Sequence, residues 1–291
     1  MNVFILEQIT LEDLNYPVRE TGTSTWGIYS SLDKAYEALQ TLVAEENKKY
    51  TLGYIVTETR LDNWATLEVS IHTYTRTGEL NDEQIISDEE YPDCDKPFYG
   101  RPKEKIRFKP GDIVEVWQGG TSELNIVCAL PWTPQEVEKR NKRLVEEYGE
   151  GHELRLDSID DCYLVYSLGI SDTHGHSQAA YLFAPTQKVP AKIRLKLQAK
   201  LIEENFTAGH NLQMSELPFA KDPKVLNEVL NIWEKVVKTK DYDEINCLLI
   251  RDKADWIKSQ LDFSPKQAQR FDRFYTKCKK LLKEKRKEEV Y

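Results

Sequence analysis

The stretch Asp172-Thr173-His174-Gly175-His176 holds the residue types best suited to chemistry. Two imidazoles one residue apart can chelate zinc or a similar ion, and His152, Asp160 or Asp161 would complete the shell. A His-x-His pair in a strand points both rings to one side. The Gly between them favours a polar turn instead. Two readings stay open: a polar turn, or a metal centre at Asp172, His174 and His176 serving a metal-dependent enzyme. Beyond such an ion no cofactor is expected.

The second group is the basic run Lys277 to Lys287, with Lys279, Lys280, Lys283 and Arg286 as candidate contacts. Cations near a helix C-terminus suit the macrodipole, so a solvated face is the simplest role. Binding to nucleic acid or to an acidic partner is the alternative. The third group is aromatic. Trp26, Trp64, Trp117, Trp132, Tyr163 and Tyr181 stand at strand and turn positions, where such rings are mostly core. Of these, Trp117, Trp132, Tyr163 and Tyr181 are candidates to line a peptide groove.

Standard enzyme signatures are missing. There is no Gly-x-Ser-x-Gly, His-Glu-x-x-His, Walker loop or Gly-x-Gly-x-x-Gly after a strand. Cys128 and Cys162 lie in apolar runs, where a thiol packs as a small hydrophobe rather than a nucleophile. The five cysteines, at 94, 128, 162, 247 and 278, are odd in number and widely spaced. They describe neither a disulfide framework nor a zinc ribbon, and point to a reducing cytoplasm.

At 291 residues the chain has room for two or three domains. A mean hydropathy of -0.60 with 31% charged residues argues against a membrane protein, and no apolar run nears the ~20 residues a spanning helix needs. Met1 to Glu7 lacks the basic region of a signal peptide and reads as a strand. A net charge of -9 opposes nucleic-acid binding by the surface as a whole. The charge is uneven, however. Glu79 to Asp95 is acidic without a Lys or Arg, whereas Lys266 to the end is mainly basic.

These groups need elements to position them. Lys109-Pro110-Gly111-Asp112 reads as a turn that tips into the strand Ile113 to Trp117. Gln118 to Ser122, with Gly119-Gly120, turns it back into Leu124 to Ala129. Thr133-Pro134-Gln135-Glu136 combines a capping box with Pro at the first helical position, so a surface helix over 133–148 is expected, stopped by Gly149 and Gly151. Cys162 to Leu168 and Ala179 to Ala184 read as further strands. Together they predict a small barrel with its own core, holding Val114, Ile126, Val165 and Phe183. Residues 106–130 resemble the opening of SH3-like small barrels.

Towards the N-terminus, Val3 to Leu6 reads as a strand, Leu11 to Thr25 as a polar loop and Trp26 to Tyr29 as a second short strand or an entry turn. Ser30 and Asp33 are spaced as a capping box, and Leu32, Ala35, Tyr36, Leu39, Leu42 and Val43 form one helical stripe. Gly53 to Arg60 is a strand, and Leu67, Val69 and Ile71 alternate with Glu68, Ser70 and His72. The runs Val3-Phe4-Ile5-Leu6, Gly27-Ile28-Tyr29-Ser30-Ser31, the Ala-containing helix after it and Leu61-Asp62-Asn63-Trp64 resemble a small uncharacterised bacterial α/β domain family over residues 1–65. The resemblance implies a fold and no catalytic residue.

Residues 79–105, with Pro92, Pro97 and Pro102, read as an acidic linker. After Pro185 the chain turns helical. Starts stand at Pro190, at Asp222-Pro223, at Asp241 with Glu244, and at Ser264-Pro265-Lys266-Gln267. The expected architecture is α+β and multidomain: a small α/β domain (1–78), the linker, a small SH3-like β-barrel (106–186) with its inserted helix, and a C-terminal helical bundle (187–291). The expected function is a non-enzymatic cytoplasmic bacterial protein that binds another macromolecule, a protein first, through the barrel and its flanks. The alternatives are a nucleic-acid-associated factor and the metal-dependent enzyme.

Overall fold

The turn before Ile113 forms where the sequence places it. Asp112 N–H donates to Lys109 O (3.0 Å) and Lys109 N–H to the Asp112 carboxylate (2.9 Å), with Gly111 at φ 91°. The computed structural model describes residues 1–45, 48–61, 66–85, 99–154, 162–167, 174–177, 179–207, 212, 214–240, 242, 245 and 254–288. Of 48, 66–68, 85, 174–176, 215 and 286–288 it describes the backbone alone. The chain forms two compact units, Met1–Lys188 and Val189–Tyr291.

Among the described residues the strands lie in the first unit and join one antiparallel sheet: β1 (Asn2–Leu11), β2 (Val18–Tyr29), β3 (Thr51–Leu61), β4 (Thr66–Thr75), β5 (Leu80–Ile85), β6 (Ile113–Trp117), β7 (Thr121–Ala129), β8 (Tyr163–Ser167), β9 (His174–Ser177) and β10 (Leu182–Phe183). Their order is β10-β6-β7-β2-β1-β3-β4-β5, with β8 on β7 and β9 on β8. The sheet forks at Leu124. Thr121 to Glu123 pair with β2, and Asn125 to Ala129 pair with β8.

The sheet curls into a nearly closed barrel. Phe183 of β10 packs with Ile9 and Leu11 of β1, Leu52 and Ile55 of β3, and Ile71 of β4. A Cβ on Gly53 would meet the Phe183 ring at 2.6 Å and Tyr74 O at 2.5 Å, so glycine lets the ring lie on β3. Among the described residues β5 and β10 share no ladder. Side chains bridge them instead: Asn81 Nδ2 donates to Leu182 O (3.0 Å), and Arg107 donates to Asn81 Oδ1 and to Ala179 O (2.7 Å).

Outside the sheet, α1 (Leu32–Glu45) buries Ala35, Leu39, Leu42 and Val43 on Leu6, Tyr54, Val56 and Tyr74. Another cluster gathers Val114, Val116, Val127, Tyr163, Val165, Ala179 and Leu182. Between β7 and β8, α2 (Pro134–Tyr148) carries the expected capping box at Thr133 and Glu136 and buries only Val137.

The second unit is helical: α3 (Ala191–Thr207), α4 (Pro223–Thr239), α5 (Ala254–Gln260) and α6 (Pro265–Glu288). Asp222 caps α4 at Lys224 N–H (2.8 Å), and Ser264 and Gln267 cap α6 reciprocally. Trp233 is fully buried, with Phe206, Phe271 and Phe274 around its ring. No described helix is long and apolar enough to cross a membrane.

Several expectations change. Val114 and Val165 share a cluster drawn from residues 106–182 alone, whereas Phe183 leaves it and joins residues of β1, β3 and β4. Long-range pairing of β2 with β7 joins residues 1–78 and 106–186 in one sheet, and Leu80 to Ile85 of the expected linker is strand. The expected loop at 11–25 is mostly β2, whose Thr-, Ser- and Gly-rich outer half is wet and so lacks an apolar alternation. Ser31, not Ser30, accepts from Lys34 N–H at the start of α1 (3.4 Å), while Ser30 Oγ accepts from Lys34 Nζ (3.0 Å). His174 to Ser177 is a strand rather than a turn, because β8 offers it a ladder. The expected strand at 179–184 opens as a 3₁₀ turn, Ala179–Tyr181. The starts at Asp241 and Glu244, Trp64, and the prolines 92 and 97 lie outside the described residues.

Candidate nucleic-acid interface

Charge divides between the two units. Met1–Lys188 holds 18 Lys and Arg against 33 Asp and Glu, a net -15. Val189–Tyr291 holds 22 against 16, a net +6, and the two give the -9 of the whole chain. The helical unit is therefore a basic body within an acidic protein.

A cleft of about 300 Å³ lies on this unit, lined by Glu234, Val237 and Lys238 of α4 and by Arg270, Arg273, Phe274 and Lys277 of α6. Helical spacing makes it. Residues 270, 273 and 277 follow one another by three and four along α6, so they share a face. Phe271, Phe274 and Cys278 are buried, which fixes the rotation of the helix. Glu234, Val237 and Lys238 share a face of α4 for the same reason.

The single acid of the cleft is already engaged. Arg270 Nε donates to Glu234 Oε1 (2.6 Å) and Nη2 to Oε2 (2.8 Å), a bidentate pair, and Nη2 also donates to Asn231 Oδ1 (2.6 Å). The hydrogen bond from Arg270 holds the Glu234 carboxyl below its usual range, and the same bond raises the guanidinium. Lys238, Arg273 and Lys277 are exposed and form no ion pair among the described residues. The Arg273 Nε donates to Gln269 O (3.4 Å). The arrangement offers three cations beside a neutralised carboxylate, which suits successive phosphates.

The candidates named from sequence sit elsewhere on α6. Lys279 lies over the Tyr275 ring (4.9 Å), Lys280 faces Glu284 (3.8 Å) and Lys283 is exposed; the Arg286 side chain is not described. The sequence missed Lys238 and Arg273. Spacing along α6 carried the signal for Arg273, but Lys238 meets it only after packing.

The barrel aromatics do not form one groove. Tyr163 is fully buried, its hydroxyl accepting from Arg107 N–H (2.8 Å) and Phe108 N–H (3.3 Å), so it is core rather than a binding residue. Trp117 and Tyr181 meet edge to face (5.7 Å), and Trp117 Nε1 donates to Thr21 Oγ1 (3.1 Å). Trp132 is covered by the Arg140 guanidinium at 4.0 Å.

Of the metal candidates, Asp172, Asp160 and Asp161 lie outside the described residues, and the His174 and His176 side chains are not described. The His152 ring is exposed, with Nδ1 3.2 Å from Gly149 O. Among the described residues no three His, Cys, Asp or Glu side chains are grouped to hold a metal ion.

One further constellation looks catalytic. Ser70 Oγ lies 2.9 Å from His72 Nε2, and His72 Nδ1 lies 3.8 Å from Glu83 Oε1. Ser70 also donates to Glu58 Oε2 (3.1 Å). Glu58 competes with His72 for the single Ser70 proton, and Glu83 stands beyond hydrogen-bond reach of Nδ1, so the geometry is not that of an aligned serine–histidine–carboxylate relay. Comparison with known proteins gives no match to a family model, a curated protein or a solved structure.

Proposed function

We propose that this chain is a non-enzymatic, nucleic-acid-associated binding protein that holds phosphate backbone in the α4–α6 cleft. The observation that carries the reading is the cleft itself: Lys238, Arg273 and Lys277 stand exposed beside an acid that Arg270 neutralises. The net +6 of the helical unit adds long-range attraction, while the net -15 of the barrel unit keeps the rest of the surface from binding. The scattered cysteines fit a reducing cytoplasm. A protein partner is the second reading, favoured by the exposed Trp26 and Ile28 of β2.

Fluorescence anisotropy with labelled single-stranded and duplex oligonucleotides over a salt series tests it. Neutralising three phosphates gives a log–log salt slope of about -2 for a single strand and about -3 for a duplex. Lys238→Glu, Arg273→Glu and Lys277→Glu together, all at exposed positions, abolish binding. Absence of salt-dependent binding by the wild type, or binding that survives the triple substitution, refutes the proposal.

A further inference from the structure

We propose that the open edge of β2, residues 22–29, takes up an extended basic peptide as an added strand, with Trp26 as its anchor. β7 leaves β2 early: its ladder covers Val18 to Glu20, and Thr21 N–H donates to Gly120 O (3.0 Å). From residue 22 onward β2 is paired with β1 on one side and, among the described residues, with nothing on the other. Sheet edges are normally blunted by Lys, Pro or a covering element. Residues 22–29 read Gly-Thr-Ser-Thr-Trp-Gly-Ile-Tyr, with none of the first two.

The side chains on this edge are held in place. The register of β1 and β2 shifts between Leu6 and Glu7, which leaves Trp26 as the extra residue of a bulge. Its Nε1 donates to Oε1 of buried Gln8 (2.9 Å), whose Nε2 donates to Thr51 Oγ1 (3.1 Å). The indole is thus fixed while 52% exposed, and Ile28 is 66% exposed. The ladder before the bulge, 22–25, supplies main-chain hydrogen bonds; the indole supplies a pocket edge and a cation–π face.

Charge selects the occupant. The Glu12 carboxylate stands 3.4 Å from where a Cβ of Gly22 would be, Glu7 accepts from Thr25 Oγ1 (3.4 Å), and Glu20 is exposed at the near end of β2. A second copy would bring the same carboxylates and another -15 against this edge, which opposes self-pairing. A strand with alternate Lys or Arg meets these carboxylates and the indole. The partner's chemistry is therefore an extended, lysine- or arginine-bearing segment with apolar residues between the cations.

Two labelled peptides long enough to span residues 22–29 test this on the full-length protein. One alternates Val and Lys; the other alternates Pro and Lys, carrying the same charge without the ladder donors. The Val-Lys peptide binds, and Trp26→Ala weakens it by about tenfold or more, as expected for loss of a rigid aromatic anchor. Glu7→Gln, Glu12→Gln and Glu20→Gln together weaken it likewise without altering the fold. Equal affinity for both peptides, or full affinity in Trp26→Ala, means diffuse attraction to the acidic unit and overturns the proposal. A concentration-dependent dimer in sedimentation that Trp26→Ala abolishes overturns it in favour of a second copy.

Discussion

The Arg19–Glu115 pair sets the most demanding prediction. Both side chains are fully buried, and Arg19 Nη2 contacts Glu115 Oε1 directly. Ser122 Oγ donates to Glu115 Oε1 (3.0 Å), and Thr186 N–H donates to Oε2 (2.8 Å). Arg19 Nη2 also donates to Thr186 Oγ1 (2.9 Å), its guanidinium lies over the Tyr16 ring at 4.5 Å, and Nε and Nη1 have no partner among the described residues. Burial lowers the Arg19 pKa, against the attraction of Tyr16 and Asp13. Glu115→Gln leaves this cation buried without its counter-charge, at a cost of about 3–5 kcal/mol. In a unit of this size that is a fall of roughly 6–20 °C in Tm. Replacing both partners behaves differently. Arg19→Met with Glu115→Leu removes both desolvated charges, a gain of about 1–4 kcal/mol. It also orphans Thr186 N–H, a loss of about 1–3 kcal/mol. The double variant thus lies close to wild type. Thermal unfolding followed by the β-sheet circular dichroism signal, which belongs to the first unit, reads both. A Glu115→Gln variant as stable as wild type, or a double variant no better than the single, refutes the reasoning.

Two further outcomes follow from titratable groups. Burial holds the His72 pKa below its ordinary value, against the pull of Glu83 and Glu58. Below about pH 6.5 the unfolded state takes up that proton before the folded state does, so His72 costs stability as pH falls through this range; His72→Gln shows a shallower acid loss, and identical pH profiles would contradict it. Burial pushes the Cys278 thiol up to about 12, so a thiol reagent leaves it unmodified in the native protein at pH near 8 and reacts after unfolding; native labelling at Cys278 by mass spectrometry would contradict it.

Signals spanning a few residues were legible in the sequence. The Lys109–Asp112 turn, the Thr133–Glu136 box and the Ser264–Gln267 box depend on neighbours in the chain, and all are present. Partnerships made by distant segments were not. The pairing of Val18 with Glu123, and of Ile9 with Phe183 in one core, decides that the first 188 residues are a single unit, and no periodicity encodes it. Most of β2 was missed for a related reason: from Gly22 to Trp26 it has no buried residue, so nothing forces alternation, and only its end, Trp26 to Tyr29, reads as a short strand or an entry turn. The same limit applies to the cleft. The basic character of α6 was visible, but which of its cations face α4 is fixed by the burial of Phe271, Phe274 and Cys278.

The join between Asn81 and Leu182 has a mechanical consequence. Among the described residues the other neighbouring strands are joined by main-chain ladders, if only over part of their length, whereas here side chains of Asn81 and Arg107 make the join. Opening at this join would break no main-chain ladder, and it is the side from which water would reach Phe183.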